Sequence, residues 1–365
     1  MARLDELCTL NMGQSPDSAS YNEVGDGLPF FQGNADFGVL HPKIRVWCNA
    51  PTKIAHPGDI LISVRAPIGA MNVADRECCI GRGLAALTVN ENLCNKGYIW
   101  YAISSKVAEL NAKGIGSTFK AISKGVLGET EIPLPLLDRQ HHISSVLDNL
   151  TDLISLRKQQ LAKLDELVKA RFVEMFGDLA DPYCKFKKYT LAETCLDADD
   201  IKCGPFGTQL SKDEYQNEGI AVWEIPQINN GFTSKPTHFL TIEKAEQLKA
   251  YSIEPGDIAM SRKGNVGKCG VFPDYYEPGI IHSDVLRIRV DSKRVIPCFM
   301  MYQLHFSRAV QYQIETVSSG AIMAGINVTK LKQIEVYVPE YELQQRFSGF
   351  VGKVDRQKLT IQQSL

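Results

Sequence analysis

Apolar residues recur four and three apart along Asp138–Gly177, at Ile143, Leu147, Leu150, Ile154, Leu161, Leu164, Val168 and Met175, with Arg157 and Arg171 in two seam positions. A heptad stripe sustained this long predicts a helix packed lengthwise on another helix. Asp138, just after Pro133 and Pro135, fits an N-cap. Gly177, followed by Asp181-Pro182, fits a stop. At about 1.5 Å of rise per residue the rod spans roughly 58 Å. A second stripe with the same spacing runs through Phe347, Val351, Val354, Ile361 and Leu365, with Lys358 as the exception.

Upstream of the first stripe the pattern changes. Short apolar runs at Lys53–Ile54, Asp59–Val64, Met71–Val73 and Leu84–Val89 are separated by Pro, Gly, Asn and Asp. They predict a curled, β-rich domain. Asn95–Leu110 predicts a helix packed on it, and 114–135 a Gly-rich turn, a short helix and a strand leading into the rod.

After Gly177 the order repeats. Pro57-Gly58-Asp59-Ile60, Ser63 and Gly69 have counterparts in Pro255-Gly256-Asp257-Ile258, Ser261 and Gly267, offset by 198 positions (57 to 255). Gly116, Ile122, Leu127, Ile132, Pro135 and Gln140 match Gly320, Ile326, Leu331, Ile334 or Val336, Pro339 and Gln344, at about 204 (116 to 320). A repeat this long means a duplicated domain-plus-helix unit, since solenoid units are far shorter. The expected fold is α+β, with two tandem β-rich domains (1–137 and 178–338) and two long helices (138–177 and 339–365). The helices pair as an antiparallel coiled coil about a pseudo-two-fold axis. The distal helix is the shorter, so the last heptads of the central helix are expected to lack a partner within the chain. Two similar surfaces at fixed separation suit a long ligand read at two points, and duplex DNA is one.

Composition narrows the field. Apolar content of 44% and charged content of 22% are globular values, and the net charge is −2. No run of eighteen apolar residues predicts a membrane span. The opening MARLDELCTLNMGQ has acids where an export signal needs an apolar core, so a cytoplasmic protein is expected. Ten cysteines without a C-x-x-C pair read as reduced thiols. His141-His142 point about 100° apart on a helix and make a poor metal pair.

No catalytic constellation stands out. There is no G-x-G-x-x-G turn and no Asn-Pro-Pro-Tyr or Asn-Pro-Pro-Phe tetrad. Gly264-Asn-Val-Gly-Lys268 has the wrong spacing for a phosphate loop, and Pro273-Asp274 with Glu277 reads as a turn. What remains is binding chemistry. The loop Ser261–Lys268 holds Arg262, Lys263, Asn265 and Lys268 among glycines; its first-half counterpart offers Ser63 and Arg65. Lys43, Arg45, Arg76 and Arg82 add charge to the first half, and Lys202 and Lys212 flank Gly204-Pro-Phe-Gly207 in the second. Arg can fork onto guanine and Asn onto adenine, while Gly lets the backbone approach phosphate.

Several of these stretches resemble a known family. Ile132-Pro-Leu-Pro-Leu-Leu-Asp-Arg-Gln140, then Lys163-Leu-Asp-Glu-Leu167 and Phe172-Val-Glu-Met-Phe-Gly-Asp178, are similar to the central conserved region of type I restriction–modification specificity subunits. The Pro-Gly-Asp-Ile motifs, followed by Ser63-Val-Arg65 and Ser261-Arg-Lys263, and Gly204-Pro-Phe-Gly207 resemble their target recognition domains. The resemblance implies a non-catalytic subunit in which each β domain reads half of a split, asymmetric DNA site. The helices would set the unread spacer and dock two methyltransferase subunits, and through them restriction subunits. It implies no cofactor on this chain; S-adenosylmethionine, Mg and ATP belong to the partners. Two other readings stay open: the specificity subunit of a related methylating nuclease without a separate motor, and a coiled-coil protein adaptor that does not bind DNA.

Overall fold

The computed structural model describes residues 1–116, 120–177, 184–318 and 325–364. Asp178, Asp181, Pro182, Gly320 and Leu365, which figure in the sequence expectations, lie outside the described residues. The chain forms two compact units, Met1–Leu156 and Arg157–Leu365.

The first unit holds a four-stranded antiparallel sheet in the order Cys8–Met12, Leu84–Val89, Ile60–Ser63, Met71–Val73. A five-stranded mixed sheet lies in the order Tyr21–Asn22, Val46–Cys48, Leu28–Phe31, Cys78–Ile80, Ile54–Ala55, with the pair Leu28–Phe31 and Cys78–Ile80 parallel. The strand Ile60–Ser63 is buried at every position. Its residues therefore feed two cores, Ile60 and Ile62 one and Leu61 the other, as the two-residue side-chain period of a strand requires.

The second unit repeats this plan. Ile201–Cys203, Val285–Ile288, Ile258–Ser261 and Cys269–Val271 form the matching four-stranded sheet. His238–Leu240, Ile220–Trp223, Gly279–Ile281 and Ser252–Ile253 form the matching mixed sheet, again with one parallel pair, Ile220–Trp223 with Gly279–Ile281. The helix expected over Asn95–Leu110 is two helices, Lys96–Ser105 and Val107–Ala112, and their counterparts are Pro297–Phe306 and Arg308–Ser318. Ile132 pairs with Ala2 and Val336 with Tyr189, so Val336, not Ile334, is the match to Ile132.

The central helix runs Leu137–Phe176, 40 residues, and the distal helix Tyr341–Gln363. Because the helix already includes Leu137, Asp138 is not its cap. Asp138 lies in the first turn, where its charge still favours the positive end of the helix dipole. Gly177 is the stop, with φ +72° and its N–H on Val173 O at 2.8 Å. Within the second unit the helices pair antiparallel. Phe172 meets Phe347 with ring centroids 5.5 Å apart, the Arg171 guanidinium lies 5.7 Å from the Phe350 ring centroid, and Lys358 binds Asp165. Val168, Phe172, Phe347, Val351 and Val354 share one core, with Leu164 packed against it. Leu161 and Ile361 are half-buried. In the first unit Ile143 packs on the domain core and Leu147 is half-buried. Leu150, Ile154 and Leu156 are 49%, 42% and 57% exposed. The expectation about the uncovered heptads is thus reversed. Antiparallel pairing sets the end of the central helix against the start of the distal one, and the exposed stripe falls in the central helix's first half.

The two Pro-Gly-Asp turns coincide in detail. Gly58 and Gly256 have φ +89° and +92°, conformations that favour glycine. The buried carboxylates Asp59 and Asp257 accept from the backbone N–H of His56 and Glu254, each at 2.8 Å. Asp257 also takes two bonds from Arg289, Nε and Nη2, both at 2.7 Å. That bidentate bond, with the Asp257 and Glu254 charges, raises the Arg289 pKa above its ordinary value. Asp59 has no such ion pair among the described residues. Asp257→Ala is therefore expected to lower the stability of the second unit by about 2–3 kcal/mol, since it removes both short bonds of a half-buried guanidinium and leaves it the longer contact with Glu254 at 3.3 Å, while Asp59→Ala costs the first unit about 1 kcal/mol. Scanning calorimetry of the two variants checks this; equal losses would contradict it.

Candidate nucleic-acid interface

Three loops meet at the same end of each four-stranded sheet. One follows the first strand (13–16 and 204–207), one joins the middle hairpin (64–69 and 262–267), and one precedes the last strand (81–83 and 282–284). Equivalent backbone bonds hold them. Gly13 N–H donates to Leu84 O at 2.9 Å and Gly204 N–H to Val285 O at 3.1 Å. Val64 N–H donates to Gly83 O at 2.9 Å and Arg262 N–H to Asp284 O at 3.0 Å. A fourth segment joins them: Arg65 bridges Ala121 and Lys263 bridges Gly325. Only glycine fits where the first loop leaves its strand. A Cβ would come within 2.2 Å of Gly81 O at Gly13, and within 2.2 Å of His282 O at Gly204.

The two clusters differ in how they spend their charges. In the first unit Arg65 and Arg82 are exposed, and neither side chain has an ion pair among the described residues. In the second unit, Arg262 is half-buried and tied down. Its Nε donates to Ile326 O and its Nη1 to Ser283 O, each at 3.2 Å, and its guanidinium carbon stacks 4.7 Å from the Phe206 ring centroid. Such a planar fork can bind several loops at once. Lys263 is paired with Asp284 at 2.8 Å. Asn265 and Lys268 are exposed, and Lys268 is left as the unpaired cation of this loop among the described residues.

The other candidates fall differently. Ser63 is buried, donating to Pro67 O at 2.5 Å and accepting from Ala70 N at 3.1 Å, so it staples the turn and presents nothing outward. Ser261 likewise turns in, toward Asn229 Oδ1 at 3.1 Å. Lys43 is exposed; Arg45 is held by Asp36 and by Ala35 O at 2.6 Å. Arg76 is paired with Asp75 at 2.8 Å. Lys202 pairs with Asp199 at 3.1 Å and lies over Tyr251, and Lys212 is exposed. Phe206's stacking role and Asp284 escaped the sequence reading. Aligning the turn 81–83 with 282–284 would have set Asp284 opposite Gly83, but nothing local marks its pairing with Lys263.

Behind the second cluster lies a cavity of about 450 Å³ lined in part by Asp165, Asn229, Lys268 and His305. His305 Nε2 accepts from Cys269 N–H at 3.0 Å and so holds the trailing end of the basic loop. His141, by contrast, accepts from Asn95 Nδ2 at 3.0 Å. Among the described residues no group of three or more His, Cys, Asp or Glu could hold a metal ion. Among them, too, no helix is long and apolar enough to cross a membrane. All ten cysteines are free thiols, and burial pushes those of Cys8 and Cys78 up to about 12.

The two units thus repeat one domain-plus-helix plan and carry matching loop clusters at the same sheet end. The sequence comparisons give the family. The chain matches the type I restriction modification DNA specificity domain over residues 1–166 and again over 200–365, and it belongs to that family. It is 40% identical over 158 residues to a putative type I restriction enzyme MjaX specificity subunit of Methanocaldococcus jannaschii, covering 43% of this chain and 37% of that one. It is 21% identical over 368 residues to the EcoBI specificity subunit of Escherichia coli, covering 93% of this chain and 76% of that one. The solved type I restriction-modification S subunit from M. genitalium shares the fold, with 17% identity and a TM-score of 0.58 over 99% of this chain and 90% of that one.

Burial, and then the Lys268 charge, lower the His305 pKa below the ordinary 6.5. A histidine depressed in the folded state contributes stability above its unfolded pKa and loses it as pH falls through the folded one. The second unit should therefore lose melting temperature between pH 7 and pH 5. His305→Gln, which keeps an acceptor for Cys269 N–H, should flatten that dependence. Melting curves across the range check it; an unchanged slope in the variant would contradict it.

Proposed function

We propose that this chain is the non-catalytic specificity subunit of a type I restriction–modification complex. Each compact unit reads one half of a split DNA site through its three-loop cluster. The helices set the unread spacer. Methyltransferase subunits dock on the chain, restriction subunits join through them, and S-adenosylmethionine, Mg and ATP are bound by those partners. The observation that carries this reading is the recurrence of one loop cluster, with basic side chains, at the same sheet end of both units.

The chemistry follows from charge and reach. Arg65 and Arg82 can fork onto guanine edges or phosphates in the first half-site. In the second, Arg262 is committed to holding the loops, so Lys268, Asn265 and the outer face of Phe206 meet the DNA. The heads thus offer different donors, which suits an asymmetric target. The exposed Lys43 and Lys212 add phosphate contacts outside the clusters.

Salt-dependent binding of the assembled complex to duplex DNA tests the reading. Arg65→Ala with Arg82→Ala should weaken binding by about 10–100-fold, and Lys268→Ala should reduce the salt slope by about one. Asp284→Asn should do the reverse of Lys268→Ala: it frees Lys263, so binding tightens and the slope steepens. Salt-insensitive or absent DNA binding with partners present would overturn the reading in favour of a protein adaptor.

A further inference from the structure

Each long helix carries a buried glutamine at its fourth residue, Gln140 in Leu137–Phe176 and Gln344 in Tyr341–Gln363. Both have 0% exposure. Gln140 Nε2 donates to Pro135 O at 2.9 Å and Leu93 O at 3.2 Å, and its Oε1 accepts from Asn95 N at 3.0 Å. Gln344 makes the same three bonds: to Pro339 O at 2.8 Å, to Arg294 O at 3.1 Å, and from Ile296 N at 2.9 Å. Both amide protons are used in each case, and among the described residues no bond goes to another side chain.

The bonded segments explain what the amide does. Pro135 and Pro339 lie in the strap that brings the chain from the domain into the helix. Asn95 and Ile296 are the N-cap residues of the domain helices Lys96–Ser105 and Pro297–Phe306. One side chain therefore ties the start of the long helix to the start of the helix that packs on the domain. Apolar packing alone lets a helix slide or roll by small amounts at little cost. Three directional bonds, all desolvated, penalise any such shift, because a moved helix leaves buried polar groups unpaired. The flanking residues differ between the halves, Leu93-Cys-Asn95 against Arg294-Val-Ile296, but the bonding is the same. The geometry is thus held through backbone groups that any sequence supplies.

We propose that Gln140 and Gln344 are positioning residues that fix the angle at which each reading domain leaves its helix, and so limit the spacer lengths the subunit accepts. This rests on the split-site reading above. Neither residue touches DNA in this proposal; each acts through the orientation of the loop clusters.

The test uses the full chain assembled with its methyltransferase. Gln140→Met and Gln344→Met, singly and together, keep the side-chain length and remove all three bonds. Methylated sites are then mapped across the genome. Each variant is expected to keep both half-site sequences and to raise methylation at sites whose spacer is one base pair longer or shorter by about tenfold relative to wild type. Leu127→Ala, which destabilises the first unit's core without touching the clamp, should lower melting temperature and leave the spacer unchanged. If the double variant fails to fold, the single variants decide, since each leaves the other clamp intact. Wild-type spacer selectivity in a folded variant, or spacer widening by Leu127→Ala as well, would overturn the proposal. A wild-type chain that directs no split motif would overturn the split-site reading and this proposal together.

Discussion

The second unit depends on one aromatic knot. Phe172 of the central helix lies within 6.1 Å, centroid to centroid, of Phe176, Phe299, Phe306 and Phe347. Phe347 belongs to the distal helix, and Phe299 and Phe306 to the domain helix Pro297–Phe306. Three elements far apart in sequence are thereby held in one place. Burying each ring is worth about 1.5–3 kcal/mol, and edge-to-face contacts add to that. The knot aligns the two long helices antiparallel and seats both on the domain, and the buried Gln344 bonds fix what the rings alone would leave free to slide.

On that support, charge distinguishes the two loop clusters. The loops are bonded alike in both units, down to the glycine that lets the first loop pass against the turn. Yet the first cluster leaves its arginines without an ion pair among the described residues, while the second uses Arg262 as a brace and partly neutralises Lys263 with Asp284. The duplicated backbone sets where the loops lie, and the side chains that differ set the charge they present. Such a division lets the surface of the clusters change without disturbing the fold.

Much of this was legible in the sequence because it is local. The heptad spacing marked both long helices, and the Pro-Gly-Asp runs marked two turns whose carboxylates cap their own backbone. The equivalence of Gln140 and Gln344 was visible as a match, though not its three bonds. What stayed hidden depends on contacts across the fold. A serine beside a basic loop reads as a surface donor, yet Ser63 folds inward because its hydroxyl closes the turn at Pro67 and Ala70. Arg262 and Lys263 read as free cations because Phe206 and Asp284 reach them only through the sheet. Asp138 fits a cap by side-chain preference, yet the strap after Pro135 enters the helix one residue earlier, at Leu137. The end at which heptads stay uncovered is likewise hidden, because stripe length alone does not say which turns meet in an antiparallel pair.

On the proposed reading, this chain directs modification to a split DNA sequence. Single-molecule methylome mapping tests it most directly, comparing a host that carries this chain with its cognate methyltransferase against one carrying the methyltransferase alone. A two-part motif with a fixed spacer, methylated only when this chain is present, is the predicted result. An intact complex that methylates no chain-dependent motif would contradict it.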